Sequence, residues 1–310
     1  MENTRAKTTR NSLILLLTAT IWGMAFVSQS KGMDYMHPFT FNGVRSLIGA
    51  TGILVYILIS RKIAGDKAAK LDWKLNVKAG LLCGIFLTIA STLQQFGIKY
   101  TSVGKAGFIT TLYIIFVPMF GIFLKKKVAP VVWAAAGMAA VGMYLLCMTE
   151  SLRLGAGDIM VFLCAIAFAI QIMTVDHYAA SIDGAVVSCI QFTVCGVVCC
   201  IGALIWGQPT FGQIQEGLGA LLYAGVLSCG VGYTLQIVGQ KGLNPTVAAL
   251  IMSLESVIAT ISGWIAYKIG FLSTDQTLTP RQIAGCVIVF AAVILVQLPP
   301  EWFCFGKKNA

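Results

Sequence analysis

The sequence predicts an all-α integral membrane protein: ten transmembrane helices in two inverted five-helix repeats, with both termini in the cytoplasm. Three observations carry this expectation. The chain of 310 residues is 57% hydrophobic and only 11% charged, with a mean hydropathy of +0.84, far from the quarter or so of charged residues in soluble domains. The string TLQQFGIK at 92–99 returns 142 positions later as TLQIVGQK at 234–241. The basic residues, finally, gather in alternate connections between the apolar runs.

A hydrocarbon core of about 30 Å needs about 20 apolar residues per helix. Taken in order, the runs that reach this length are 11–29, 38–60, 78–98, 104–124, 128–147, 157–175, 184–206, 217–239, 246–268 and 281–299. They are apolar on every face, whereas barrel strands would alternate in segments of about ten residues. The first run follows a basic start, as a signal peptide would, but it outlasts the usual apolar region of a signal and leads into nine more spans; it is kept as helix one. Only 61–78 and 270–280 are sizeable polar connections, too short for an extramembrane domain. Glu150, Arg153 and turn-forming residues place the boundary between halves at 149–157, giving repeats at 1–150 and 151–310.

Charge sets the orientation. With the N-terminus inside, the inner segments hold Arg5, Lys7, Arg10, Arg61, Lys62, Lys67, Lys70, Lys74, Lys78, Lys125, Lys126, Lys127, Lys241, Lys307 and Lys308, fifteen in all. The outer segments hold six: Lys31, Lys99, Lys105, Arg153, Lys268 and Arg281. An excess of Lys and Arg on the cytoplasmic side selects this topology. The net charge of +10 is therefore a topology signal, and no nucleic-acid partner is expected. Nine of the ten cysteines fall within spans, Cys304 alone lies in the tail, and no metal-type spacing is present, so the cysteines read as packing.

The repeat extends past the octapeptide, since residues 106–109 align with 248–251 at the same offset, and Gly137 aligns with Gly285 once a six-residue insertion is allowed. Five spans separate the two copies. An odd number of crossings puts their ends on opposite faces, the inverted-repeat arrangement that transporters use. Gly80-x-x-x-Gly84 and the 134–137 run of small residues mark expected close helix contacts.

Only Arg45 in helix two and Glu255 in helix nine are charged residues well inside a span. Each costs about 2.5 to 3.5 kcal/mol on insertion scales, so each is expected to face protein or water, with function as the default; a salt bridge that only locks the halves is the competing reading. Glu255 facing a cavity would meet the basic requirement of a proton-coupled carrier. Arg45 keeps its proton and would anchor a carboxylate or Glu255 itself, with Asn42 one turn before it. Gln94, Gln171, Gln191, Tyr233, Gln236 and Ser253 add polar groups, with Gln94 and Gln236 equivalent in the repeat. Trp22 and Tyr113 offer aromatic stacking surfaces. Helices five and ten supply almost no polar group, which places them at the periphery of a central cavity.

Two enzyme readings lack the residues they need. Residues 155–158 fit the Gly-x-Gly-Asp string of intramembrane aspartyl proteases, but that chemistry needs a second carboxylate nearby, and Asp158 stands at a helix start where it stabilises the N-terminus. His37 and His177 are at predicted helix ends and leave no base for a serine or metal hydrolase. No P-loop string and no cofactor motif is present.

Trp22-Gly23 with Phe26, Arg45, residues 97–102 ahead of 106–109, Gly137, residues 242–245, residues 248–250 and Ser253-Leu254-Glu255 occur in an order that resembles the drug/metabolite transporter superfamily, EamA type, over nearly the whole chain. Ser256 replaces the proline that often follows the glutamate of helix nine, and the family's Gly-Glu after helices four and nine is missing. The resemblance implies alternating-access movement of a small metabolite or amphipathic drug between the halves, frequently outward across a bacterial plasma membrane. The expectation is a secondary exporter of an amino acid-like or drug-like solute. It sits in the lipid bilayer without a cofactor or bound metal; proton coupling and a homodimer remain open. The alternative is a non-transporting scaffold or lipid-interacting protein.

Overall fold

The computed structural model describes residues 2–65, 71–124, 130–147, 155–273 and 275–297. Among them there is no strand. The chain runs through α1 (Glu2–Gly32), α2 (Pro38–Ala64), α3 (Trp73–Ile98), α4 (Val103–Thr111), α5 (Tyr113–Phe123) and α6 (Pro130–Cys147). It continues through α7 (Ala156–Tyr178), α8 (Gly184–Gly202), α9 (Phe211–Glu216), α10 (Leu218–Leu222), α11 (Tyr233–Gln240), α12 (Pro245–Met252), α13 (Leu254–Lys268) and α14 (Pro280–Gln297). Eight helical segments among the described residues are long and apolar enough to cross a membrane: Ala6–Gly32, Pro38–Ala64, Trp73–Ile98, Val103–Phe123, Ala156–Tyr178, Gly184–Gly207, Leu218–Gln240 and Pro245–Lys268. The fifth and tenth predicted spans contain shorter apolar helices, Pro130–Gly142 and Pro280–Leu295. Most of the predicted half boundary lies outside the described residues, as do Lys67, Lys70, Lys125, Lys126, Lys127, Arg153, Lys307, Lys308 and Cys304.

Side-chain caps explain where many helices begin. Asp72 accepts from the Leu75 amide, Ser102 from Lys105, Asp183 from Ala185 and Val186, and Asn244 from Thr246 ahead of Pro245; each satisfies an amide that has no partner within its helix. Gly242 turns the chain out of α11 at φ 76°, a left-handed conformation that glycine adopts without strain. Helix ends recur at the offset of the repeat: α3 ends at Ile98 and α11 at Gln240, while α4 begins at Val103 and α12 at Pro245.

Four predicted single helices are subdivided. The fourth breaks at Leu112 and the ninth at Ser253, where ψ falls to −11° and −16° and the turn tightens. Beside each break a hydroxyl bonds back three residues, Thr111 Oγ1 to the Phe108 carbonyl at 2.8 Å and Ser253 Oγ to the Leu250 carbonyl at 2.7 Å. Such back-bonding bends helices. The eighth span has a ten-residue π-helical segment, Tyr223–Gly232, between α10 and α11, and α8 runs into a shorter one at Ala203–Gly207.

Packing follows the small residues. α3 lies against α7 and α8, α2 against α8 and the long π segment, α1 against α13 and α11, and α6 against α14. Gly80 and Gly84 face Ile190 and Val194 of α8, where added Cβ atoms would lie 2.7 and 2.9 Å from the neighbouring Cβ atoms. Gly137 touches nothing within 4 Å; the close contact on α6 is made by Gly142, against the Gly285 carbonyl and Val289.

Candidate functional site

The depth of Arg45 is set by one helix crossing. A Cβ on Gly49 would lie 2.7 Å from the Cys229 Cβ and 2.8 Å from the Gly225 carbonyl oxygen, and a Cβ on Gly225 would lie 2.9 Å from the Arg45 carbonyl oxygen. Two glycines thus bring α2 and the π segment into backbone contact, and the Arg45 side chain, 5% exposed, enters a central cavity. Small residues serve this purpose in lipid, where apolar area alone gives no preference for helix over acyl chain.

The cavity is lined by Trp22, Arg45, Gln94, Tyr113, Gln171, Tyr233, Gln236 and Glu255 together with Phe26, Gln29, Ser46, Leu87, Ser91, Thr110, Phe168, Ile172, Phe192, Ser228 and Cys229. No residue of α6 or α14 is among them. Its volume of ≈ 30 Å³ leaves room for water but little more.

Three hydrogen-bonded arrangements and one aromatic cluster form the walls. Tyr113 donates its hydroxyl proton to Glu255 Oε1 at 3.0 Å; these residues stand 142 positions apart. Gln94 Nε2 bonds Thr110 Oγ1 at 3.2 Å. Gln236 Nε2 donates to Gln171 Oε1 at 3.2 Å, and Gln171 Nε2 to Gln191 Oε1 at 3.5 Å, a chain of three amides. Trp22 stands 4.5 Å from Tyr233, whose ring meets Phe192 edge-on at 5.0 Å. Arg45 and Glu255 form no ion pair, and the two pairs found among the described residues, Lys31–Asp34 and Lys105–Asp158, lie elsewhere.

Three predicted residues stand behind the wall. Asn42 donates its Nδ2 proton to the Ser91 carbonyl of α3 at 2.9 Å and does not reach the cavity. Gln191 reaches the site only through Gln171. Ser253 spends its hydroxyl on the helix break. Among the cavity residues outside the predicted site, Phe26 and Gln29 continue the stripe from Trp22 at i+4 and i+7, and Ser91 precedes Gln94 by one turn; that spacing is their signal. Ser228 and Cys229 belong to the π segment, whose register has no sequence mark. Asp158 accepts from Lys105 Nζ at 2.6 Å, from Thr101 Oγ1 at 2.9 Å and from the Gly155 amide at 2.9 Å, a cap and ion pair at a helix start.

Comparison with known proteins agrees with this architecture. The chain is 28% identical over 290 residues to an uncharacterized transporter of Archaeoglobus fulgidus, covering 92% of this chain and 84% of that one. It is 24% identical over 295 residues to the uncharacterized transporter YwfM of Bacillus subtilis, covering 94% of each. A protein of known crystal structure, 16% identical, superposes with a TM-score of 0.73 over 96% of this chain and 99% of the other, a likeness of fold. The profile of the EamA-like transporter family matches twice, at residues 10–148 and 155–298. With both matches together spanning nearly the whole chain, this multi-pass membrane protein belongs to the EamA-like transporter family of the drug/metabolite transporter superfamily.

Proposed function

We propose that the protein is a secondary carrier that moves a small organic solute by alternating access, with export across a bacterial plasma membrane as its direction. Ten crossings form two inverted five-helix halves with both termini in the cytoplasm. The observation that carries the proposal is the central cavity, where Trp22, Arg45, Gln94 and Tyr113 of the first half face Gln171, Tyr233, Gln236 and Glu255 of the second. The two family matches, one per half, the helix ends recurring at one offset and the basic residues concentrated on one face support the inverted arrangement. A site shared between the halves can face either side in turn as the halves rock, which is how inverted-repeat transporters work.

Glu255 is 3% exposed, and its bonded partner is the Tyr113 hydroxyl rather than a cation. That setting suits a carboxyl group that takes up and gives off a proton during the cycle. The test is solute counterflow in proteoliposomes, with and without a pH gradient, for wild type and Glu255→Gln. Gradient-stimulated flux in wild type that disappears in the variant is expected. Wild-type flux indifferent to the gradient would sink proton coupling, and no flux for any solute would sink the carrier reading.

A further inference from the structure

The cavity's charged groups do not balance one another. Arg45 presents five N–H donors and keeps its charge at any physiological pH. Its guanidinium carbon stands 5.4 Å from the centre of the Phe41 ring, and its Nε, fully shielded from solvent, has no hydrogen-bond partner. Glu255 is occupied by Tyr113 and forms no ion pair with it. A buried cation without an anion is costly and marks a ligand site by default.

A second orphan lines the same cavity. The indole Nε1 of Trp22 is buried and has no acceptor. Indole and guanidinium nitrogens are donors only, so no reassignment of an amide orientation could pair them with each other. The two unpaired acceptors of the same wall, Gln29 Oε1 and Gln236 Oε1, reach neither donor, so both donors are open to an acceptor supplied from outside the chain. The planar guanidinium fork matches a carboxylate through two parallel bonds. A phosphate would bring up to two negative charges to a cavity with one cation, and a cationic solute would meet Arg45 unscreened. The remaining wall includes Phe168, Phe192 and Tyr233, flat apolar surface for the body of the solute.

We infer that the transported solute is a monocarboxylate with an apolar or aromatic body, and that its carboxylate pairs with Arg45. This rests on the carrier reading of the cavity. The experiment uses the purified full chain and a series of acids from acetate to phenylacetate and indoleacetate, each with its matched amide and amine. Melting temperature and calorimetric affinity are read. The acids with larger bodies stabilise the protein, and their amides and amines at equal concentration do not. Arg45→Gln weakens acid binding by about 30-fold or more, the loss expected when one partner of a buried charge pair is removed, and Arg45→Lys, which keeps the charge but not the fork, falls between. Amines or amides binding as tightly as the acids overturns the inference, as does binding by no acid or unchanged acid affinity in folded Arg45→Gln. The wild-type series decides the matter even where a variant fails to fold. Acid binding without counterflow removes the carrier reading and keeps the site; amine counterflow unaffected by Arg45→Lys does the reverse.

Discussion

The stretch from α4 to α5 and the stretch from α12 to α13 are built alike and finished differently. Each starts on a side-chain cap, Ser102 or Asn244, and each breaks after a hydroxyl that bonds three residues back. Just beyond the breaks the first carries Tyr113 and the second Glu255, and these two meet. The backbone device is held in common, while the ionisable group is present on one side only. The two stretches thus share a bend and differ in the acid.

The comparison breaks first at the acid. Glu255→Gln is expected to lower gradient-driven flux by about 100-fold or more, the scale of losing a group that transfers a proton in every turnover, with counterflow at equal pH far less affected. Tyr113→Phe removes one donor from a buried acceptor and is expected to cost about 1 to 3 kcal/mol of stability, read as a lower melting temperature. If Tyr113→Phe is instead silent, the pair is a contact without coupling. The glutamines sharpen the comparison further. Gln171→Met interrupts a chain of three amides at its middle and loses two bonds, whereas Gln94→Met loses only Thr110, so the former should be the more destabilising by about 1 kcal/mol in chemical denaturation. Ser253→Ala, which deletes only a back-bond within its helix, is expected to change stability by less than about 1 kcal/mol; a larger loss would give that hydroxyl a role beyond the bend.

What could be read in advance follows from what each signal depends on. Arg45 and Glu255 stand out because a charge in an apolar run needs no knowledge of neighbours to be anomalous. The repeat locates Gln94 and Gln236 because register survives duplication. Asn42 and Ser253 are polar and well placed in sequence, yet which way each faces depends on the rotation of its helix, and that is decided by packing. The π segment at 223–232 is invisible for a related reason: its small and apolar residues suit an α-helix equally, and the widened turn follows from the close crossing at Gly49 and Gly225. Subdivision of the fourth, seventh, eighth and ninth spans leaves no mark in composition, which reports length and not continuity.

The α6–α14 pair, joined where Gly142 meets Gly285, keeps clear of the cavity although α6 closes one half of the sequence and α14 the other. In the proposed cycle such a pair ties the halves together at the back while the front opens. In mechanical language it is a spine rather than a door: a covalent cross-link placed there is expected to leave counterflow intact, and the same cross-link between α4 and α7 to stop it.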